Sequence, residues 1–76
     1  VEGNIDLVAA AYGLTPAETQ VAGLMASGLS NPEISDRLNI SPETVKTHVA
    51  SSLLKTQCRN RLAFTWRVIQ FSPPIL

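Results

Sequence analysis

The sequence predicts a small all-α domain, and three observations carry that prediction. A capping side chain stands before proline three times, at Thr15-Pro16, Asn31-Pro32 and Ser41-Pro42. Proline suits a first-turn position whose N–H has no partner anyway, and a Thr, Asn or Ser oxygen caps another free N–H, so each pair marks a helix start. Apolar residues then recur three to four positions apart, which stacks them on one helical face. Stop signals stand where these stretches end, at Gly28 and Asn39, two residue types that accept a left-handed backbone. With 76 residues the chain is one domain, of a size that buries only about 60% of its unfolded surface.

Residues 5–12, Ile5-Asp6-Leu7-Val8-Ala9-Ala10-Ala11-Tyr12, read as either a short extra helix or an ordered linker. The first main helix spans 16–27, opened by a Thr15-x-x-Glu18 capping box. The second spans 32–38, with Ser30 and Glu33 spaced for another box. Seven residues cannot hold a helix in isolation. Ile34 and Leu38 therefore need a cover, and Val21, Leu24 and Met25 on 16–27 form the matching stripe. A three-residue turn follows, Asn39-Ile40-Ser41, with Ile40 pointing inward and Ser35 small enough for close approach. The third helix spans 42–56, and a short helix, a tight turn and a longer helix make a helix-turn-helix. A fourth spans 60–71 and is stopped by Ser72-Pro73-Pro74. The expected boundaries are a linker or short helix over 1–13, the helix-turn-helix domain over 14–71 and a tail over 72–76.

Zero net charge argues at first against a polyanionic partner, but the distribution reverses this. All six acids lie within residues 1–43, opposed only by Arg37. Residues 44–76 carry Lys46, Lys55, Arg59, Arg61 and Arg67, add His48, and contain no acid. One face is thus expected to meet an anion. No apolar run approaches the roughly 18 residues of a membrane span, and no charged-then-apolar leader is present, so neither membrane nor export is expected. The chain begins at Val1, which fits an excised piece of a longer protein or processing. Cys58 is the only cysteine, so the fold is independent of oxidation and a cytoplasmic setting is expected. His48 and Cys58 offer neither metal-ligand spacing nor a nucleophile with its base, so neither an enzyme nor a cofactor is expected.

Rotation by about 100° per residue sorts the faces of the last two helices. From Val45, the residues Val49, Ser52 and Thr56 fall inward, with Leu53 at the border. The Ser52 hydroxyl is expected to return to the His48 carbonyl. The opposite face carries Lys46, Thr47, Ala50, Ser51 and Leu54: small residues and one cation, shaped to lie in a groove about 12 Å wide. The 60–71 helix has two apolar stripes, Leu62, Trp66 and Ile69 against Phe64, Val68 and Phe71. One packs on the core. The other meets a partner or is covered by segment 5–12.

The joined run Leu14-Thr15-Pro16-x-Glu18, Gly28-Leu29-Ser30-Asn31-x-Glu33-Ile34 and Leu38-x-Ile40-Ser41-x-x-Thr44-Val45-Lys46-Thr47-His48, with Lys55 and Arg61 beyond it, resembles the LuxR-type (GerE-like) DNA-binding domain of bacterial transcription regulators. The resemblance covers residues 14 to 65. It implies a four-helix fold, here with the added N-terminal segment. It further implies that helix 42–56 enters the major groove of duplex DNA and that the last helix pairs two copies. The domain would be C-terminal, behind a sensing or receiver domain, and would act in the cytoplasm on the nucleoid. The family usually has Lys at Pro32, Ala at Ser35 and Glu at Gln20. It has apolar residues at Ser52, Thr56 and Cys58, and a sub-branch has glycine at Gln57.

Carried onto this chain, Lys46 would donate to guanine O6 or N7 or to a phosphate, and the Thr47 and Ala50 methyls would touch thymine methyls. Ala50 replaces a Lys or Arg common in the family. Ser30, Asn31, Ser41 and Thr44 would bind phosphates through hydroxyls and helix-start N–H groups. Lys55 and either Arg59 or Arg61 would add backbone charge, His48 a phosphate or packing contact, and Ser51 part of the groove face. Phe64 and Val68 would lie in the core, leaving Leu62, Trp66 and Ile69 for the homodimer. Zero net charge, Ala50 and Ser52 favour the rival reading, a helical protein-interaction module that has lost DNA binding.

Overall fold

Every proline-marked start does open a helix in the computed structural model, which describes residues 2–71 and side chains from residue 4 onward. Five helices follow in order: α1 Glu2–Tyr12, α2 Pro16–Ala26, α3 Asn31–Leu38, α4 Pro42–Lys55 and α5 Arg61–Gln70. The described residues contain no strand. The Ser72-Pro73-Pro74 stop and the 72–76 tail lie outside the described residues.

The starts work as capping chemistry requires. Thr15 and Ser30 each accept from the N–H three residues on, and Glu18 and Glu33 reach back to the cap N–H, closing two capping boxes. The cap of α3 is therefore Ser30. Asn31 is already helical, which corrects the expectation that Asn31 caps a helix beginning at Pro32. Ser41 caps α4 by accepting from Thr44 N at 3.1 Å, and Asn60 caps α5.

The stops of α2, α3 and α4 share one geometry, a left-handed residue just past the helix. Gly28 follows α2 with φ 98°, its N–H bonded to Met25 O and that of Leu29 to Leu24 O. Asn39 takes φ 55° after α3, as expected. Gln57 takes φ 58° after α4, where the family sub-branch has glycine. Its N–H bonds to Leu54 O and that of Cys58 to Leu53 O, so the paired Schellman bonds form despite the side chain.

Helix α2 is the hub, packing against each of the other four, most extensively against α4. The core joins Ile5 and Val8 of α1, Val21, Ala22 and Met25 of α2, Ile34 of α3, Val45 and Val49 of α4, and Phe64 and Val68 of α5. Segment 5–12 is thus a helix that begins earlier than expected, and Val8 is fully buried. Asn4 Nδ2 donates to Val68 O at 3.2 Å, which ties α1 to α5. Ser52 and Thr56 are fully buried. Their hydroxyls return to His48 O at 2.7 Å and Ser52 O at 2.8 Å, so each is satisfied within its own helix. Among the described residues no buried side-chain nitrogen or oxygen lacks a partner.

Candidate nucleic-acid interface

The helix-turn-helix is α3, the turn 39–41 and α4. Asn39 turns the chain, Ile40 packs on the core, and Ser35 Oγ donates to Ile40 O at 2.5 Å. This bond fixes the angle between the two helices from inside the turn.

The outward face of α4 holds Lys46, Thr47, Ala50 and Leu54, all exposed, with Leu54 at 79%. Val45, Val49, Ser52 and Thr56 lie on the buried face, as the rotation predicts. Thr47 Oγ1 donates to Glu43 O at 3.0 Å, so its hydroxyl is satisfied within α4. At the start of the helix, Ser41 Oγ and Thr44 Oγ1 lie 2.8 Å apart, both exposed. His48 is half-buried beside this face.

Ser51 departs from the expected groove face. It is half-buried, and its hydroxyl donates to Glu18 Oε2. The physical reason is Glu18, a buried carboxylate on the α2 face it shares with Val21, Ala22 and Met25. Glu18 gathers three donors: Lys55 Nζ at 2.7 Å, Ser51, and Thr15 N at 2.9 Å. Lys55 donates in addition to Gly13 O at 3.3 Å. The Lys55 ammonium, then the Ser51 hydroxyl, then the Thr15 N–H pull the Glu18 carboxyl from 4.5 to about 2, against the opposing effect of burial. This latch joins the start of α2 to the end of α4 and sets how α4 stands on the core. Glu33, fully exposed, is also held below the ordinary range, first by the Ser30 N–H.

Two arginines are likewise engaged within the fold. Arg61 donates to Asn31 Oδ1 and to Leu29 O, the latter at 2.6 Å, tying the start of α5 to the start of α3. Arg67 donates to Tyr12 Oη at 2.9 Å and to Thr56 O at 3.1 Å, with its guanidinium 5.8 Å from the centre of the Tyr12 ring. It satisfies a carbonyl at the end of α4 while bracing α1. Of the five cations after residue 43, Lys46 and Arg59 remain exposed with no partner among the described residues.

The face of α5 away from the core exposes Leu62 at 79%, Trp66 at 58% and Ile69 at 51%, while Phe64 and Val68 are buried. Helix α1 thus leaves this stripe exposed. Asn60, Leu62, Ala63 and Trp66 line a shallow apolar depression on it. Among the described residues, no group of three or more His, Cys, Asp or Glu could hold a metal ion. No helix among them is long and apolar enough to cross a membrane.

Helical phase is the signal in the sequence that points Glu18 and Arg61 toward the fold, although it does not name their partners. Each lies on its helix's buried stripe, Glu18 with Val21, Ala22 and Met25, and Arg61 with Phe64 and Val68.

Comparison with known proteins agrees with this geometry. Residues 12–67 match the family described as bacterial regulatory proteins, luxR family. The chain is 44% identical over 57 residues to the nitrate/nitrite response regulator protein NarP of Escherichia coli K12, covering 75% of this chain and 26% of that protein. It is 43% identical over 54 residues to NarL of the same organism, named likewise, covering 70% and 25%. It is 42% identical over 48 residues to the HTH-type transcriptional regulator MalT of Vibrio campbellii, covering 63% and 5%. The chain thus spans about a quarter of the first two relatives and far less of the third. No solved structure matches. The matched stretch contains the helix-turn-helix, both capping boxes, the Glu18 latch and most of α5, and the chain belongs to the LuxR family of bacterial regulatory proteins.

Proposed function

We propose that this chain binds duplex DNA sequence-specifically, with α4 in the major groove, as the C-terminal output domain of a bacterial transcription regulator. The observation that carries the reading is the outward face of α4, where Lys46, Thr47, Ala50 and Leu54 present one cation among small and apolar groups, with the exposed Glu43 at the first turn. Lys46 donates to guanine O6 or N7, and the Thr47, Ala50 and Leu54 methyls pack on thymine methyls. Ser41 and Thr44, the Ser30 hydroxyl and the remaining Asn31 amide hold phosphates at the helix starts. Arg59 adds charge at the rim, and His48 lies against the backbone. Lys55, Arg61 and Ser51 act by positioning α4 and α3, because each already has a partner in the fold.

Two copies pair through Leu62, Trp66 and Ile69, and this symmetry sets two α4 helices about one DNA turn apart. The names of NarP and NarL as response regulator proteins support a sensing or receiver domain ahead of this one, and binding to chromosomal DNA would put its place of action on the cytoplasmic nucleoid. A second reading, a helical protein-interaction module, is favoured by the exposed α5 stripe together with only two unpartnered cations after residue 43.

Selection of bound sites from random duplex DNA separates the two. Enrichment of a two-half-site sequence supports DNA binding, and Lys46→Ala then weakens that site by about 1–3 kcal/mol. Absence of affinity for any duplex at low salt leaves the interaction module.

A further inference from the structure

We propose that Glu43 reads a base, accepting a hydrogen bond from the N4 amine of a cytosine, so that the bound site carries a C·G pair opposite the first turn of α4. The proposal deepens the DNA-binding reading and rests on it. Helices α2, α3 and α4 each carry a glutamate in the first turn. In α2 and α3 it is the third helical residue and is bonded back to the cap N–H, Thr15 N to Glu18 at 2.9 Å and Ser30 N to Glu33 at 2.8 Å. In α4 the third residue is Thr44, which bonds to the cap Ser41, and the glutamate stands one place earlier. That shift turns its side chain by about 100° around the axis, away from the cap.

The Glu43 side chain is exposed and has no partner among the described residues. Lys46 and Thr47 lie three and four residues on, so Glu43 shares their outward face. A carboxylate brought toward phosphates is repelled. A donor on a base edge is what offsets this in the major groove. Cytosine N4 has an acceptor on one side only, the O6 of its paired guanine, whereas adenine N6 stands between its own N7 and the paired thymine O4, which repel a carboxylate from both sides. Glu43 therefore selects cytosine and disfavours the other bases, while Lys46 one turn on is matched to guanine acceptors.

The test is selection from random duplex DNA with the wild-type chain, Glu43→Gln and Glu43→Ala, at one fixed salt concentration. Circular dichroism verifies equal helicity of the three. The wild type is expected to enrich cytosine at one position, and replacing that cytosine to weaken binding about tenfold. Glu43→Gln moves the preference at that position to adenine, because a carboxamide pairs with N6 and N7 together. Glu43→Ala erases the preference there alone and raises affinity for random duplex. If all three enrich the same site and Glu43→Ala only gains affinity uniformly, the proposal is overturned, and Glu43 is a solvated acid at the positive helix end. Failure of the wild type to bind any duplex overturns the DNA-binding reading as well, which distinguishes the two failures.

Discussion

Lys55 Nζ stands 2.7 Å from Glu18 Oε1, and through this pair the last turn of α4 is held by the first turn of α2. Glu18 is 7% exposed at its side chain and Lys55 is 35% exposed, so the carboxylate is the member that depends on the pair. The Glu18 carboxyl lies at about 2 in the folded chain, below its ordinary 4.5. Its contribution to stability is therefore complete above pH 4.5 and is lost as pH falls toward 2. Glu18→Gln should lower stability by about 1–3 kcal/mol at neutral pH, the scale of hydrogen bonds to a charged group. Urea midpoints measured from pH 2 to 6 should show the wild type and Glu18→Gln converging at the acid end.

Salt dependence follows from the same bookkeeping of charges. Lys55 is neutralised by Glu18, and the donors of Arg61 and Arg67 are turned into the fold, which leaves Lys46 and Arg59 as the cations that approach the duplex and displace counterions. The logarithm of the DNA affinity should then fall against the logarithm of salt with a slope of about −2 per bound domain. A slope near −4 would mean that Lys55 and Arg61 leave their internal partners on binding.

The helix starts and stops were legible because they are local. A cap, a proline and a left-handed residue act within four positions, and Thr15-Pro16, Ser30, Ser41 and Asn39 behave accordingly. The helical phase of α4 was equally legible, down to the Ser52 hydroxyl on His48 O. Pairing across the chain was not. Rotation about α4 placed Ser51 outside, since periodicity alone cannot show that a buried carboxylate from α2 waits beside it. Lys55 and Arg61 read as backbone charge for the same reason, because their partners stand 37 and 30 residues away.

Gln57 offers a direct gain in stability. It holds φ 58° in a position where a Cβ is unfavourable, and the Schellman bonds need that conformation. Gln57→Gly removes the strain but frees the unfolded chain, for a net stabilisation of about 0.5–1 kcal/mol. Asn39→Gly should give less, since asparagine tolerates this region. Both are read from urea midpoints at unchanged slope.

Ser52 tests how full the core is. It is fully buried and its hydroxyl is satisfied within α4. Ser52→Ile adds three carbons in place of one oxygen and should cost about 1–3 kcal/mol by overpacking. Ser52→Ala removes a hydroxyl whose partner is a helix carbonyl that retains its backbone bond, so it should stay within about 0.5 kcal/mol. A gain in stability from Ser52→Ile, measured by thermal unfolding, would reveal unfilled space next to Val45 and Val49.

Trp66 separates folding from pairing. It is 58% exposed, with Leu62 and Ile69 on the same stripe, while Phe64 and Val68 hold the core side of α5. Trp66→Ala should therefore leave thermal stability nearly unchanged, whereas Phe64→Ala should cost about 3–5 kcal/mol. One pair of ten-residue helices buries less than the standard interface of about 1,600 Å², so the free chain should be largely monomeric by analytical ultracentrifugation. On a two-half-site operator, each bound copy raises the effective concentration of the other, and a weak contact becomes sufficient. Trp66→Ala should then abolish cooperative binding to that operator and leave affinity for a single half-site unchanged, because Trp66 lies on α5 and α4 carries the outward face. Persistent cooperativity in the folded variant would place the pairing surface elsewhere on the domain. Unfolding of the variant would assign the stripe to the core, against the exposure of Leu62 and Trp66.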